Sequence, residues 1–329
     1  MEAAFFEGAE KKVALTVSRR WGSLRSLGEP FFRAVVEAAG AKVVSAARAE
    51  RADAYLLSES SLFVFDDRLR MITCGRTRLV DAALMLVERL GRDAVTSLVY
   101  ERQSARAPSA QPTSFADDVR RLEGALEGEA LRFGDRYGEG LGVFRAASSA
   151  PVGSRFHTHQ VLMHGVRTER LEARCAAGAR DPLGLAPWLD GFATDERFFE
   201  PSGYSLNALR DDAYAAVHVT PDARGGYASF ELGFGAGHRS RADDDGTLPA
   251  ALDAFVCRLV EALRPRSIDV VRFAPTLDAL ADPALAGYEV ARRLRSPVRG
   301  LEAAMYQLDA SAPGRSTTCD AALDAAGVG

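Results

Sequence analysis

Between two apolar runs, residues 54–57 and 62–65, stand an acid and three hydroxyls, Ser58-Glu59-Ser60-Ser61. The flanking residue types suit β-strands, so the polar interruption breaks a pattern that a buried strand normally keeps. A serine hydroxyl beside a peptide carbonyl can attack it and turn the amide into an ester, provided the fold holds the bond in a strained geometry. Elimination from that ester, followed by hydrolysis, leaves a pyruvoyl group at the new chain terminus. Such a carbonyl forms an imine with a substrate amine and takes up the electrons left when carbon dioxide departs. On this reading the chain makes its own cofactor at Ser60 by cutting after Glu59. A lone tetrapeptide of this kind is more often a polar turn or an exposed strand end, so the weight falls on the residues around it.

Holding such a bond requires regular structure on both sides. Strand-like runs cover residues 13–17, 42–47 and 95–100, with strand-like pieces continuing to about Ala147. Helical spacing marks residues 30–39, ending at Gly40, residues 77–90, stopped by Gly91, and residues 115–126. A Pro/Ser/Ala-rich surface loop spans 103–114, and Ala150-Pro151-Val152-Gly153 is the best internal boundary. The second half then replays the first: strands at 159–166, 213–220, 227–232 and 268–273, a polar loop at 237–247 and a helix at 248–263. Strands alternate with one long helix per half, which predicts an α+β fold of antiparallel sheets with helices outside them.

Composition sets the broad class. An apolar fraction of 47% with 26% charged residues is that of an ordinary globular protein, and a net charge of -4 gives no reason to expect nucleic acid as a partner. Cys74, Cys175, Cys257 and Cys319 show no metal-type spacing and suit a reducing compartment. Glu2, Glu7 and Glu10 argue against a signal peptide, and no apolar run approaches the roughly eighteen residues of a membrane span. The expectation is a cytoplasmic protein with no membrane partner.

Six short blocks occur in an order that resembles eukaryotic-type S-adenosylmethionine decarboxylases. They are Phe6-Glu7-Gly8-x-Glu10-Lys11, Leu57-Ser58-Glu59-Ser60-Ser61, Thr73-Cys74-Gly75, Gly203-Tyr204-Ser205-x-Asn207, His218-x-Thr220-Pro221 and Ser229-Phe230-Glu231. The resemblance runs from about residue 5 to about residue 308. It implies a four-layer αββα sandwich of two similar halves, about 1–150 and 151–309, forming one domain with Ser60 between them at one edge. Residues 310–329 are expected to be a disordered tail.

The same resemblance implies roles. Ser60 would be the pyruvoyl precursor, and Glu59 the last residue of a small N-terminal chain. Ser205 would hydrogen-bond the ester, and His218 would take the serine α-proton, a task that suits an imidazole. Cys74 would return a proton to the substrate's α-carbon, as an ordinary thiol protonated at neutral pH can. Glu7 and Glu10 are expected near the reacting end. Phe6 and Phe199 would sandwich an adenine, Leu57 and Glu59 would lie near its edge, and Asp222 would accept from the ribose hydroxyls.

Departures from the family pattern bear on substrate and regulation. The family usually has Glu where Asp222 stands, which shortens the reach by about 1.5 Å. Ala14, Ile72, Phe156 and Gln160 stand where putrescine-activated members place charged residues, although Glu231 remains. Lys12 and Arg102 match fixed cations of members that need no diamine, so putrescine activation is not expected. Both monomers and homodimers occur among such proteins. His157-x-His159 could present two imidazoles to a metal, but no third ligand is in view and none is expected. The glycines of Gly138-Glu139-Gly140-Leu141-Gly142 and of Gly233-x-Gly235-x-Gly237 read as turns, and Asp243-Asp244-Asp245 as a solvated loop. Two rival functions stay open: a pyruvoyl-dependent decarboxylase of arginine or ornithine, and a catalytically dead regulatory homologue.

Overall fold

The computed structural model describes residues 10–105, 107–134, 140–147, 157–200, 203–220, 225–234, 247–274, 282–283 and 285–311. The chain divides into two compact units, residues 1–154 with 297–301, and residues 155–296 with 302–329. In the first unit the strands are β1 (Lys11–Val17), β2 (Val43–Arg48), β3 (Ala52–Leu57), β4 (Ser60–Phe65), β5 (Arg68–Thr73), β6 (Val95–Gln103), β7 (Gly128–Gly134) and β8 (Gly140–Ala147). Its helices are α1 (Gly28–Ala38), α2 (Leu79–Leu90) and α3 (Phe115–Ala125). The sheet runs β2-β3-β4-β5-β1-β6-β8-β7, and each neighbouring pair is antiparallel.

Strand periodicity sorts the side chains onto two faces. Val13, Leu15, Leu62, Val64, Leu69, Met71, Leu98 and Tyr100 pack with the apolar stripes of α1 and α2 in one core. The alternate positions, among them Lys12, Ala14, Phe63, Arg70, Ile72 and Glu101, are also buried. Every position of β4 is therefore shielded, which is why its sequence lacks the alternation of a half-exposed strand. The helix α2 buries seven residues and stops at Gly91, whose φ of 83° is comfortable only without a β-carbon. A capping box between Ser114 and Asp117 starts α3.

The second unit comprises β9 (His157–Val166), α4 (Glu169–Ala176), β10 (Ala193–Phe199), β11 (Gly203–Arg210), β12 (Ala213–Thr220), β13 (Gly226–Phe234), α5 (Thr247–Leu263), β14 (Ser267–Ala274), β15 (Tyr288–Val298) and β16 (Leu301–Ala310). Its sheet runs β10-β11-β12-β13-β9-β14-β16-β15, the first unit's order with every strand advanced by eight. The expected pair of similar halves built on antiparallel sheets is present. Helices α4 and α5 contribute Leu171, Phe255, Leu259 and Leu263 to a core with Val161, Leu206, Val217 and Phe230 of the sheet. Among the described residues no helix is long and apolar enough to cross a membrane.

Several expectations need correction. The three helices expected in the first half are present, at Gly28–Ala38, Leu79–Leu90 and Phe115–Ala125, whereas the single helix expected in the second half is one of two described there. Strands β10, β11, β15 and β16 and helix α4 are absent from the sequence reading. The edge strands β10 and β15 show exposed positions where a central strand would be apolar, which removes the pattern. Gly140, Gly142 and Gly233 lie within strands rather than turns. A β-carbon on Gly142 would come within 2.7 Å of the Phe115 ring, and one on Gly233 would strike the Tyr214 ring, so these glycines make room for aromatics. The proposed boundary at 150–153, the loop at 237–246 and the tail from residue 312 lie outside the described residues.

One buried ion pair ties sheet to helix in the first unit. Arg102 of β6 donates to Asp118 of α3 at 2.5 Å, and Tyr100 donates to the same carboxylate at 2.7 Å. Asp118 is fully buried. Removing one partner of such a pair strands a charge away from water, so Asp118→Ala is expected to cost about 3–5 kcal/mol in urea unfolding. A loss below about 1 kcal/mol would mean that the guanidinium finds another partner or water.

Candidate active site

The polar break in the sequence becomes the hairpin between β3 and β4. Leu57 pairs with Ser60, leaving Ser58 and Glu59 as a two-residue turn. Turns this tight need a positive φ, normally given to a Gly, Asn or Asp within the turn. Here the positive value, 142°, falls on Ser60. A side chain held in that region costs about 1–3 kcal/mol, and it persists only when the surroundings fix it.

The surroundings do fix it, from both sides. On one side the Ser58 N–H donates to Lys42 O at 2.8 Å, and the Ser58 hydroxyl accepts from Lys42 N–H at 3.0 Å. On the other side the residue after β5 takes hold of the Glu59 carbonyl. The Cys74 N–H donates to Glu59 O at 3.0 Å, and the Cys74 thiol donates to the same oxygen at 3.3 Å. Two donors thus converge on the carbonyl of the bond between Glu59 and Ser60, the arrangement that stabilises a developing oxyanion. The Ser60 hydroxyl, 4% exposed as a residue, has no hydrogen-bond partner among the described residues.

Cys74 is itself held in place. Lys11 donates its ammonium to Gly75 O at 2.8 Å. Thr77 Oγ1 lies 2.9 Å from Thr73 Oγ1 and 3.1 Å from Cys74 O. Burial, reinforced by the Glu59 and Glu10 carboxylates, pushes the Cys74 thiol well above its ordinary value, with Lys11 opposing. The thiol is therefore more firmly protonated than the unperturbed one expected from sequence. Burial likewise raises Glu59, with Lys11 and the Cys74 hydrogen bond pulling the other way. Glu10 is buried and pairs with Lys12 at 2.8 Å. Lys11 and Ser58 stand within the matching blocks without a role, and Thr77 only at the start of a helix, because hydrogen bonds to main-chain groups leave no spacing pattern.

Ser205 and His218 face each other across β11 and β12 of the second unit. His218 Nδ1 lies 2.9 Å from Ser205 Oγ, with both residues buried. The hydroxyl holds one edge of the ring and so fixes its orientation. Phe199 of β10 lies opposite Gly203, where a β-carbon would approach Phe199 Cβ to 3.1 Å, so the glycine lets the half-buried ring settle there. Leu57 is fully buried in the helix-facing core of the first unit. Phe6, Glu7 and Asp222 lie outside the described residues.

The same hairpin recurs at the same place in the second unit with a different outcome. Arg210 pairs with Ala213 around the turn Asp211-Asp212, and the positive φ, 52°, sits on Asp211 inside the turn. Asp tolerates that conformation, so no neighbouring residue carries the strain.

Two further expectations meet the structure here. Arg102, taken from sequence as a fixed cation beside Lys12, lies instead on the helix side of β6, bound to Asp118 and Thr113. The period of a strand puts Arg102 with Tyr100, while Lys12 shares the opposite face with Arg70, which pairs with Glu101 at 2.7 Å. His159 accepts from Arg272 Nε at 3.1 Å, and burial and that cation hold its imidazole well below the ordinary value. The His157 side chain is outside the described set, and no group of three or more potential metal ligands occurs among the described residues.

A family model for adenosylmethionine decarboxylase matches residues 3–293. An S-adenosylmethionine decarboxylase proenzyme of Caenorhabditis elegans is 33% identical over 257 residues, covering 70% of this chain and 69% of that one. A proenzyme of the same name from Dictyostelium discoideum is 29% identical over 253 residues, covering 69% of this chain and 66% of its own length, about two thirds. Arabidopsis thaliana proenzyme 2 is 30% identical over 257 residues, covering 70% and 71%. The AdoMetDC-delta26 monomer of Trypanosoma brucei shares the fold, with a TM-score of 0.55 and 18% identity over 76% of this chain and 99% of that one. A family match over most of the chain, and a nematode relative one third identical, carry one conclusion: the chain belongs to the adenosylmethionine decarboxylase family of enzymes.

Proposed function

We propose that the chain cuts itself between Glu59 and Ser60 and then decarboxylates S-adenosylmethionine, the reaction that supplies aminopropyl groups for polyamine synthesis. The observation that carries this reading is the strained Ser60 with two donors on the preceding carbonyl. Attack by Ser60 Oγ on the Glu59 carbonyl carbon forms a C–O bond, and the Cys74 N–H and S–H receive the negative charge on the oxygen. The C–N bond then breaks, the nitrogen takes the hydroxyl proton, and an ester links the two residues. Reaching that ester releases the backbone strain at position 60, which gives the first step a local driving force.

His218, its ring fixed by Ser205, takes the α-proton of residue 60. The Cβ–Oγ bond breaks, and Glu59 leaves as a carboxylate terminus. Water then displaces the nitrogen as ammonia, leaving the pyruvoyl group. That group supplies an electron-accepting carbonyl for the pair left behind by carbon dioxide. Cys74 holds the proton that the substrate's α-carbon receives, and the raised thiol pKa keeps that proton in place across neutral pH. One thiol thus serves two stages, first on the Glu59 carbonyl and later as the acid.

Substrate recognition rests on Phe199 beside Gly203, with Phe6, Glu7, Glu10, Leu57, Glu59 and Asp222 assigned by family resemblance. Asp222 reaches about 1.5 Å less far than the usual Glu, so a water bridges it to the ribose diol. Buried Lys12 and Arg70, paired with Glu10 and Glu101, stand as permanent cations on one face of the first sheet. They replace an activating diamine, and the enzyme works without putrescine. The free thiols Cys74, Cys175 and Cys257 suit a cytoplasmic enzyme.

Mass spectrometry of the purified protein is expected to give two pieces that part after Glu59, with a borohydride-reducible ketone on the larger one. An unbroken chain would remove the basis of this reading. Ser60→Ala is expected to remain intact, and His218→Ala to stop at an ester that hydroxylamine cleaves. Cleavage of Ser60→Ala, or full processing of His218→Ala, would reassign those roles. Among S-adenosylmethionine, arginine and ornithine, only the first is expected to release carbon dioxide, at a rate that added putrescine leaves unchanged. Because the folded thiol is raised, alkylation of Cys74 by iodoacetamide should keep accelerating at pH values where an ordinary thiol has levelled off. A plateau at the ordinary thiol value would contradict the protonated acid.

A further inference from the structure

The second unit carries a cationic cavity that the decarboxylation chemistry leaves unused. It has a volume of about 330 Å³ and lies between α4, the segment that follows it and the end of α5. Four arginines line it, Arg170 and Arg174 from α4, Arg258 from α5 and Arg264 just beyond α5, over an apolar floor that includes Leu171 and Leu183. Glu261 is the one acid in the lining. Its contact with Arg258 is loose, at 3.7 Å, and among the described residues Arg174 donates only to the main-chain Asp181 O, at 3.3 Å. Neither Arg170 nor Arg264 has a side-chain partner among the described residues. In a chain whose net charge is -4, four cations facing one carboxylate is a local concentration of positive charge.

Two backbone features place these guanidinium groups. Arg264 occupies the position after α5 where glycine is the usual choice, with a φ of 44° and its N–H on Val260 O at 2.7 Å. An arginine is kept there at a conformational cost. Gly184, with a φ of 74°, lies against the Arg258 guanidinium, and a β-carbon on it would collide with that group. Simple attraction of cations to a helix C-terminus explains neither the glycine nor the hollow.

We propose that this cavity binds a small molecule bearing a diphosphate. Forked guanidinium donors match phosphate oxygens two at a time, four of them can engage two phosphate groups, and the volume and apolar floor leave space for an attached organic group. The site is independent of the self-cleavage reading, because none of its residues takes part in that chemistry.

Calorimetric titration of the full chain with inorganic pyrophosphate and with ADP at low salt tests this. Both are expected to bind, and affinity is expected to fall as salt rises. The double variant Arg170→Gln, Arg264→Gly should weaken both by about a hundredfold, roughly tenfold for each guanidinium lost. Because glycine suits the conformation at 264, this variant should melt no lower than the parent and should cleave itself equally well. Binding of ADP without pyrophosphate would indicate an adenine pocket elsewhere and overturn the proposal. Failure of both to bind, or binding unchanged in the variant, would overturn it as well.

Discussion

A single carbonyl oxygen organises the first unit. Glu59 O is the acceptor for the Cys74 N–H and thiol, and through Cys74 it is tied to Lys11, Thr77 and Thr73. The hairpin turn is tied on its other flank to Lys42. With both flanks fixed, the chain cannot move the positive φ off Ser60. Sheet order matters for the same reason. Only with β4 between β3 and β5 can a turn on one side and a strand end on the other grip a single peptide bond.

Charge inside this unit is handled by pairing. Lys12 with Glu10, Arg70 with Glu101, and Arg102 with Asp118 are three buried pairs, each with both partners nearly inaccessible. Such pairs add little net stability over apolar replacements, but they are costly to break singly, and so they favour one arrangement of the strands over its near alternatives. They divide between the two faces of the sheet. Arg102 and Asp118 join sheet to helix, while Lys12, Glu10, Arg70 and Glu101 place both signs of charge on the strands that flank the Cys74 turn.

The sequence was most legible where a polar residue interrupted an apolar run. Ser60 stood out because the four apolar residues 62–65 follow so closely after it, and His218 because its strand is otherwise apolar. The resemblance gave Ser205 and His218 separate roles, and their pairing became visible only with the register of β11 on β12 in place. What stayed hidden has physical causes. A positive φ on a serine leaves no compositional mark, since glycine is the residue that normally announces it. Edge strands such as β10 and β15 lack buried alternation because one flank is open. The face on which Arg102 lies was readable, since two residues along a strand is one full period and Tyr100 is plainly apolar.

The hairpin around Asp211-Asp212 serves as an internal control carried within the same polypeptide. It occupies the equivalent slot of an equivalent sheet, yet its irregular torsion rests on a residue that accommodates it, and the adjoining Ala213 has no hydroxyl. Shared topology therefore does not by itself put a positive torsion on a residue that bears a buried hydroxyl. What differs between the units is the residue that carries the irregular torsion, and a fold of this kind can move that angle from one position to the next without shifting a strand.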